Sequence, residues 1–329
     1  MKKLKITILF LFPLLFATQL KAQWDLPFSQ FWMAKTYYNP SFAGETDKIQ
    51  VSGIYKIQWS GIKNAPKRYM IAADAPFEFL GGRHGVGLLT YSESVEQMRN
   101  SLIAAQYTFK YKLGKGYLNI GIQAGLSELN YDASSYRLLP DSTASNQQEG
   151  IKVNPTATEK KALDLNAGIS WISNNFYAGV GAAHLTQPQF YAVNDSIASI
   201  DVRNDSTLSS VPRTYNFMAG CNIRIPGTLF QIQPMVWMQS DLVNTYGQGA
   251  MRFMYDGKYS VGAAWRYNDG YSFFAGATIQ GVEVGYAYDL YTSGIGKSSK
   301  GNHEISFRYR FPFDLFGKET QPHKSIRLL

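Results

Sequence analysis

The chain has 329 residues, 15% of them aromatic and only 17% charged, with 29 Gly and 22 Tyr. That length suits two ordinary domains or one large barrel, and so few charges do not cover a soluble surface of this size. The net charge falls from +8 to +4 when Lys2, Lys3, Lys5 and Lys21 leave with the leader described next, too mild and too scattered a balance for nucleic-acid binding.

Met1 to Ala22 has the plan of a secretory signal: three early lysines, then the apolar run Ile6 to Ala17, with cleavage predicted after Ala22. The run is too short to span about 30 Å of hydrocarbon as a helix. Residues 23–48 follow as an N-terminal arm or plug, expected on the periplasmic side. They are aromatic and irregular, and Pro40 restricts Asn39 to an extended shape. Rigid aromatic surface orders at low entropic cost, which makes Phe28, Gln30, Phe31, Trp32, Tyr38, Asn39, Pro40 and Phe42 the candidate partner-binding residues.

From residue 49 to 311 the sequence alternates. Tyr259, Val261, Ala263, Trp265 and Tyr267 share one face, and Ser260, Gly262, Ala264, Arg266 and Asn268 share the other. Segments of this kind are predicted near 49–59, 67–74, 85–92, 102–113, 116–127, 162–172 and 176–185. The remainder fall near 213–225, 228–239, 245–256, 258–268, 271–280, 281–290 and 302–311. About fourteen strands of roughly ten residues fit an up-and-down transmembrane β-barrel, whose apolar faces meet lipid while polar faces line a lumen. The connections sort by length. Every second one is a tight turn, such as Gly114-Lys115 or Pro226-Gly227, with a longer one expected at 75–84; the alternate set includes the long loops 128–161, 186–212 and 292–301. Long loops outside and short turns inside are the outer-membrane pattern. A C-terminal tail, 312–329, is placed in the periplasm.

The inward phase carries Lys56, Asp164, Arg252, Arg266, Glu283, Asp289, Glu304, Arg308 and Arg310, with Lys110, Lys112 and Arg224 in the same register. Both signs occur, so pairing across strands is the expected role, ahead of an ion-selective pore. No catalytic, cofactor or metal site is legible. His84, His184, His303 and His323 lack metal-ligand spacing. His184 could approach Ser170 on a neighbouring strand, but no acid is evident to orient it. Gly85-Val86-Gly87 precedes no helix, so it is read as strand glycine rather than a nucleotide motif. Cys221, the single cysteine, sits on the outward phase. Three Asp-Ser dipeptides, at 141, 195 and 205, fall in the two longest loops and suit turns or O-glycosylation.

The stretches Phe28-Ser29-Gln30-Phe31, Tyr38-Asn39-Pro40-Ser41-Phe42-Ala43-Gly44, Tyr55-Lys56-Ile57-Gln58-Trp59, Ala72-Ala73-Asp74-Ala75-Pro76 and Gly85-Val86-Gly87-Leu88 follow one another in that order. Together they resemble the PorP/SprF family of type IX secretion system membrane proteins of the Bacteroidetes. The resemblance implies a non-enzymatic outer-membrane barrel of the export and gliding machinery. Its implied partners are a periplasmic lipoprotein ring, peptidoglycan-associated proteins and exported cargo or adhesins with a C-terminal sorting domain. The reading from residues alone leaves a second class open: a diffusion porin or hydrophobic-solute transport barrel.

Overall fold

The computed structural model describes residues 27–131, 160–191, 207–267 and 269–311. The leader, the C-terminal tail, most of the two longest loops and all three Asp-Ser dipeptides lie outside the described residues. Strands β1 (Gln50–Ile57), β2 (Lys67–Phe79), β3 (Gly82–Val95), β4 (Met98–Leu113), β5 (Gly116–Tyr131), β6 (Lys160–Ser173) and β7 (Phe176–Ala183) form one half of the wall. A small hairpin, β8 (Gln189–Tyr191) with β9 (Thr207–Ser210), stands apart within the loop that follows. The other half is β10 (Thr214–Cys221) with its short continuation β11 (Ile223–Arg224), then β12 (Phe230–Ser240), β13 (Thr245–Tyr255), β14 (Tyr259–Arg266), β15 (Gly270–Ile279), β16 (Val282–Tyr291) and β17 (Asn302–Arg310).

All neighbours pair antiparallel. β7 joins β10, β10 joins β12, and β1 closes on β17, giving a closed barrel of 14 strands. Closure leaves no strand edge in the wall, the condition for a sheet to cross hydrocarbon with its backbone groups satisfied. The predicted strands all appear.

The predicted face alternation holds. In β14, Tyr259, Val261, Ala263 and Trp265 are exposed while Ser260, Ala264 and Arg266 are buried. The outward face reads as a membrane band. Tyr267, Trp265 and Tyr271 mark one rim, Tyr111, Tyr255 and Tyr259 the other, with Ile122, Val261, Phe273 and Ile305 between them.

One connection is shorter than expected. The 75–84 stretch is no loop: β2 and β3 run through it, paired from Lys67↔Ser94 to Phe79↔Gly82. β1 pairs with β2 only as far as Asp74. Pro76 therefore lies beyond the end of β1, where its missing N–H costs no ladder bond. Leu80 and Gly81 close the hairpin with φ of 49° and 73°, the left-handed pair a two-residue turn requires. With this correction all the turns at that end are short, so it is assigned as the periplasmic end.

Candidate functional site: the filled lumen

The arm lies inside the barrel. Phe31–Met33 and Pro40–Phe42 form single 3-10 turns flanking one helical turn, α1 (Lys35–Tyr38). Asn39 is extended, with φ −155° and ψ 111°, as the proline after it dictates. Phe28, Gln30, Phe31, Trp32, Tyr38, Asn39, Pro40 and Phe42 are all buried. The expectation of a docking surface on the periplasmic face gives way here: those eight side chains are spent on the wall. Pro27 lies in the outer half of the lumen, beside Lys56, and the arm descends to leave at the periplasmic end before β1 climbs again.

Charge fixes the upper segment. Lys56 Nζ stands 3.0 Å from Asp289 and 3.4 Å from Glu304, and donates to the Pro27 carbonyl at 3.1 Å and to Ser29 Oγ at 2.7 Å. The two oxygens of Glu304 accept the backbone N–H groups of Ser29 and Gln30, each at 2.7 Å. Arg266 bridges Asp289 and Asp269, both at 3.0 Å, and Ser29 Oγ donates to Asp289 at 2.8 Å. Gln248 donates to the Ser29 carbonyl and Arg308 to the Trp32 carbonyl. Irregular chain in a lumen has to find such partners for its backbone groups, and here the lumen charges supply them.

A different wall receives the lower segment. Gly121, Gly168, Gly179 and Gly181 face inward on β5, β6 and β7, and a Cβ at any of them would meet Tyr38, Asn39, Pro40 or Ser41. On this bare plate Asn39 Nδ2 donates to the carbonyls of Val180 at 3.0 Å and Ile169 at 3.3 Å. Its Oδ1 accepts from the Ser41 N–H at 2.9 Å, capping the 3-10 turn. Thr108 donates to the Pro40 carbonyl and Gln106 to the Thr36 carbonyl. Lys110 donates to the Gly44 carbonyl, and the Gly44 N–H reaches Asp74.

Between the two seats runs an aromatic seam that the alternation did not announce. Tyr38 packs on Trp237 at 4.9 Å, Tyr37 on Tyr91 at 5.0 Å and Trp32 on Phe274 at 4.7 Å between ring centroids. Tyr91, Trp237 and Phe274 hold inward positions that a uniformly polar lumen face would give to hydrophilic residues. Their presence on that phase is the signal that something apolar fills the barrel.

Of the charges on the inward phase, most are paired. Arg252 and Arg308 share Glu283, at 2.6 and 3.5 Å. Asp164 lies 2.7 Å from His184 Nδ1, so an acid does orient that histidine, contrary to expectation. Ser170 is engaged elsewhere, with its Oγ 2.8 Å from Ser41 Oγ. Arg310 sits exposed at the periplasmic mouth with Lys112 and Arg224. Sequence reasoning missed Arg68 and Glu93, a buried pair at 3.2 Å, with Gln58 also accepting from Arg68. Among the described residues no cluster of His, Cys, Asp and Glu suits a metal ion, and no helix is long and apolar enough to cross a membrane.

The family description "Type IX secretion system membrane protein PorP/SprF" matches residues 20–309. The chain belongs to that family. Among solved structures it resembles the CymD monoaromatic hydrocarbon channel, at 11% identity over 90% of this chain and 96% of that one, with a TM-score of 0.50. It also resembles the Acinetobacter baumannii outer membrane protein Omp33, at 8% identity over 80% and 98% of the two chains and a TM-score of 0.45. A third is the Pseudomonas putida toluene transporter TodX, at 9% identity over 83% and 92% and a TM-score of 0.43. Such identities speak to the barrel fold alone. Among curated proteins none matches this sequence. Family and fold together make this PorP/SprF chain an outer-membrane β-barrel of the type IX secretion system.

Proposed function

We propose that this PorP/SprF barrel is a closed, non-enzymatic component of the type IX export and gliding machinery. It docks the periplasmic apparatus, a lipoprotein ring and peptidoglycan-associated proteins, and supports export or surface attachment of cargo with a C-terminal sorting domain. The observation that carries the reading is the plug at 27–44, which meets the wall from the outer ion cluster to the periplasmic rim. A diffusion porin needs a wet continuous lumen, whereas this one is filled by aromatic side chains and bonded backbone. With the arm enclosed, contact with the apparatus falls to the periplasmic turns, the mouth of the barrel and the tail. Deleting the protein and following individual sorting-domain cargo tests the reading. Loss of at least one cargo from the surface is expected; unchanged placement of every cargo would overturn it.

A further inference from the structure

The periplasmic mouth holds a recess of about 330 Å³ whose roof is the plug, at Trp32 and Lys35. It is blind, because the plug blocks passage upward. Its charge does not balance. Lys35, Arg252, Arg308 and Arg310 line it, against the carboxylates of Glu45 and Glu283. Lys35 is taken by Glu45 at 2.5 Å, and Arg252 and Arg308 divide Glu283. Arg310 has no carboxylate within ion-pair distance among the described residues; its Nε donates to the neutral Gln50 side chain at 3.0 Å. Two further donors have no partner among the described residues: Arg308 Nε and the Tyr177 hydroxyl, both buried at the recess. Tyr177 also stacks beneath the Lys35 ammonium at 4.1 Å, which holds that cation against the wall.

A surplus of guanidinium over carboxylate, with spare N–H and O–H donors beside aromatic walls, is what binds an anionic group from a protein partner. The volume is at the small end of ligand clefts, enough for a chain end or loop tip and too small for a folded domain. We infer that the recess at Arg308, Arg310 and Tyr177 receives an acidic peptide segment of a periplasmic protein, presenting its carboxylates to the two arginines. This rests on the docking role proposed above and gives that role its chemistry: a negatively charged tip entering from below.

The mature full-length protein in neutral detergent is titrated with a fluorescent tetraglutamate peptide and with its tetraglutamine counterpart. Tetraglutamate is expected to bind and tetraglutamine not. Arg310→Glu should weaken binding by about tenfold or more, and raising salt from about 50 to 300 mM should weaken it further. Arg213→Glu, at the outer end, should leave it unchanged. Heat-modified gel migration confirms that each variant is folded. Equal binding of the two peptides, or wild-type binding by Arg310→Glu, overturns the inference. So does binding that appears only after residues 312–329 are removed, because the occupant is then the chain's own tail. In cells, an Arg310→Glu barrel that still co-purifies the lipoprotein ring sinks the recess and leaves the docking role standing. A wild-type barrel that never co-purifies the ring sinks the docking role itself.

Discussion

The plug is held at its two ends by opposite means. Strands β14 to β17 and β1 grip Pro27 to Trp32 with charge: Lys56, Arg266, Asp289 and Glu304 cross-link one another and then capture backbone groups. Strands β5 to β7 take Tyr38 to Ser41 on bare glycine, with Asn39 supplying the bonds. Charge holds a segment against a wall at arm's length, through long side chains. Glycine removes the side chains so that backbone meets backbone. The first seat concentrates its energy in few groups, all of them costly to disturb singly, while the second depends on space.

The sharpest test of the charged seat is to remove one member. Lys56→Met leaves Asp289 and Glu304, side by side on the paired strands β16 and β17, with one cation fewer, and breaking a buried pair in this way costs about 3–5 kcal/mol. The urea midpoint for loss of the compact, heat-modifiable form should fall accordingly. A midpoint equal to wild type would mean that the cluster is hydrated and contributes little.

At the glycine seat the expected effect is smaller and different in kind. Gly168→Val places carbon where the Asn39 side-chain oxygen now lies, so the turn has to lift or the wall has to bow. Overpacking of this sort costs about 1–3 kcal/mol. A lifted turn should also give flickering conductance in planar bilayers, which Lys56→Met need not do. Gly249→Ala is the matched control, since a Cβ there meets nothing within 4 Å. It should change stability by no more than about 0.5 kcal/mol. Equal effects at Gly168 and Gly249 would remove the glycine plate from the account.

The smallest effect belongs outside the lumen, in the turn between β12 and β13. Slight burial pushes the Asp241 carboxyl up, but N–H donation from Asn244 and Val243 outweighs it and holds the group below its ordinary value. A depressed carboxyl stabilises the fold above its unfolded pKa, about 3.9, and loses that contribution as pH falls through the folded value. Asp241→Ala should therefore cost about 1 kcal/mol at neutral pH and progressively less in acid, measured by urea midpoints at pH 7 and pH 3. A difference that did not shrink in acid would assign the effect to turn geometry instead of charge.

The contrast between the seats also explains what could be read in advance. Alternation on a period of two made the strands, their faces and the inward charges legible, because a lipid-facing wall leaves little choice of phase. Which charge meets which was not legible: Lys56 reaches Asp289 on β16, two strands away round the closed wall, and only closure between β1 and β17 brings them together. The arm carried no periodicity, so its aromatic content read equally well as an outside docking surface or a plug. Its destination was written elsewhere, in Tyr91, Trp237 and Phe274 on the polar phase and in Gly121, Gly168 and Gly181 on three adjacent strands. The 75–84 connection was misjudged for a related reason: a strand can carry Pro76 there only because the neighbouring strand β1 pairs no further than Asp74, which the sequence of β2 does not state.

The central claim is that residues 27–44 seal this barrel, and single-channel recording tests it most directly. The purified mature protein in a planar bilayer should show no steady conductance. A large, stable conductance from the unmodified protein would contradict the sealed lumen and return the barrel to the transport class.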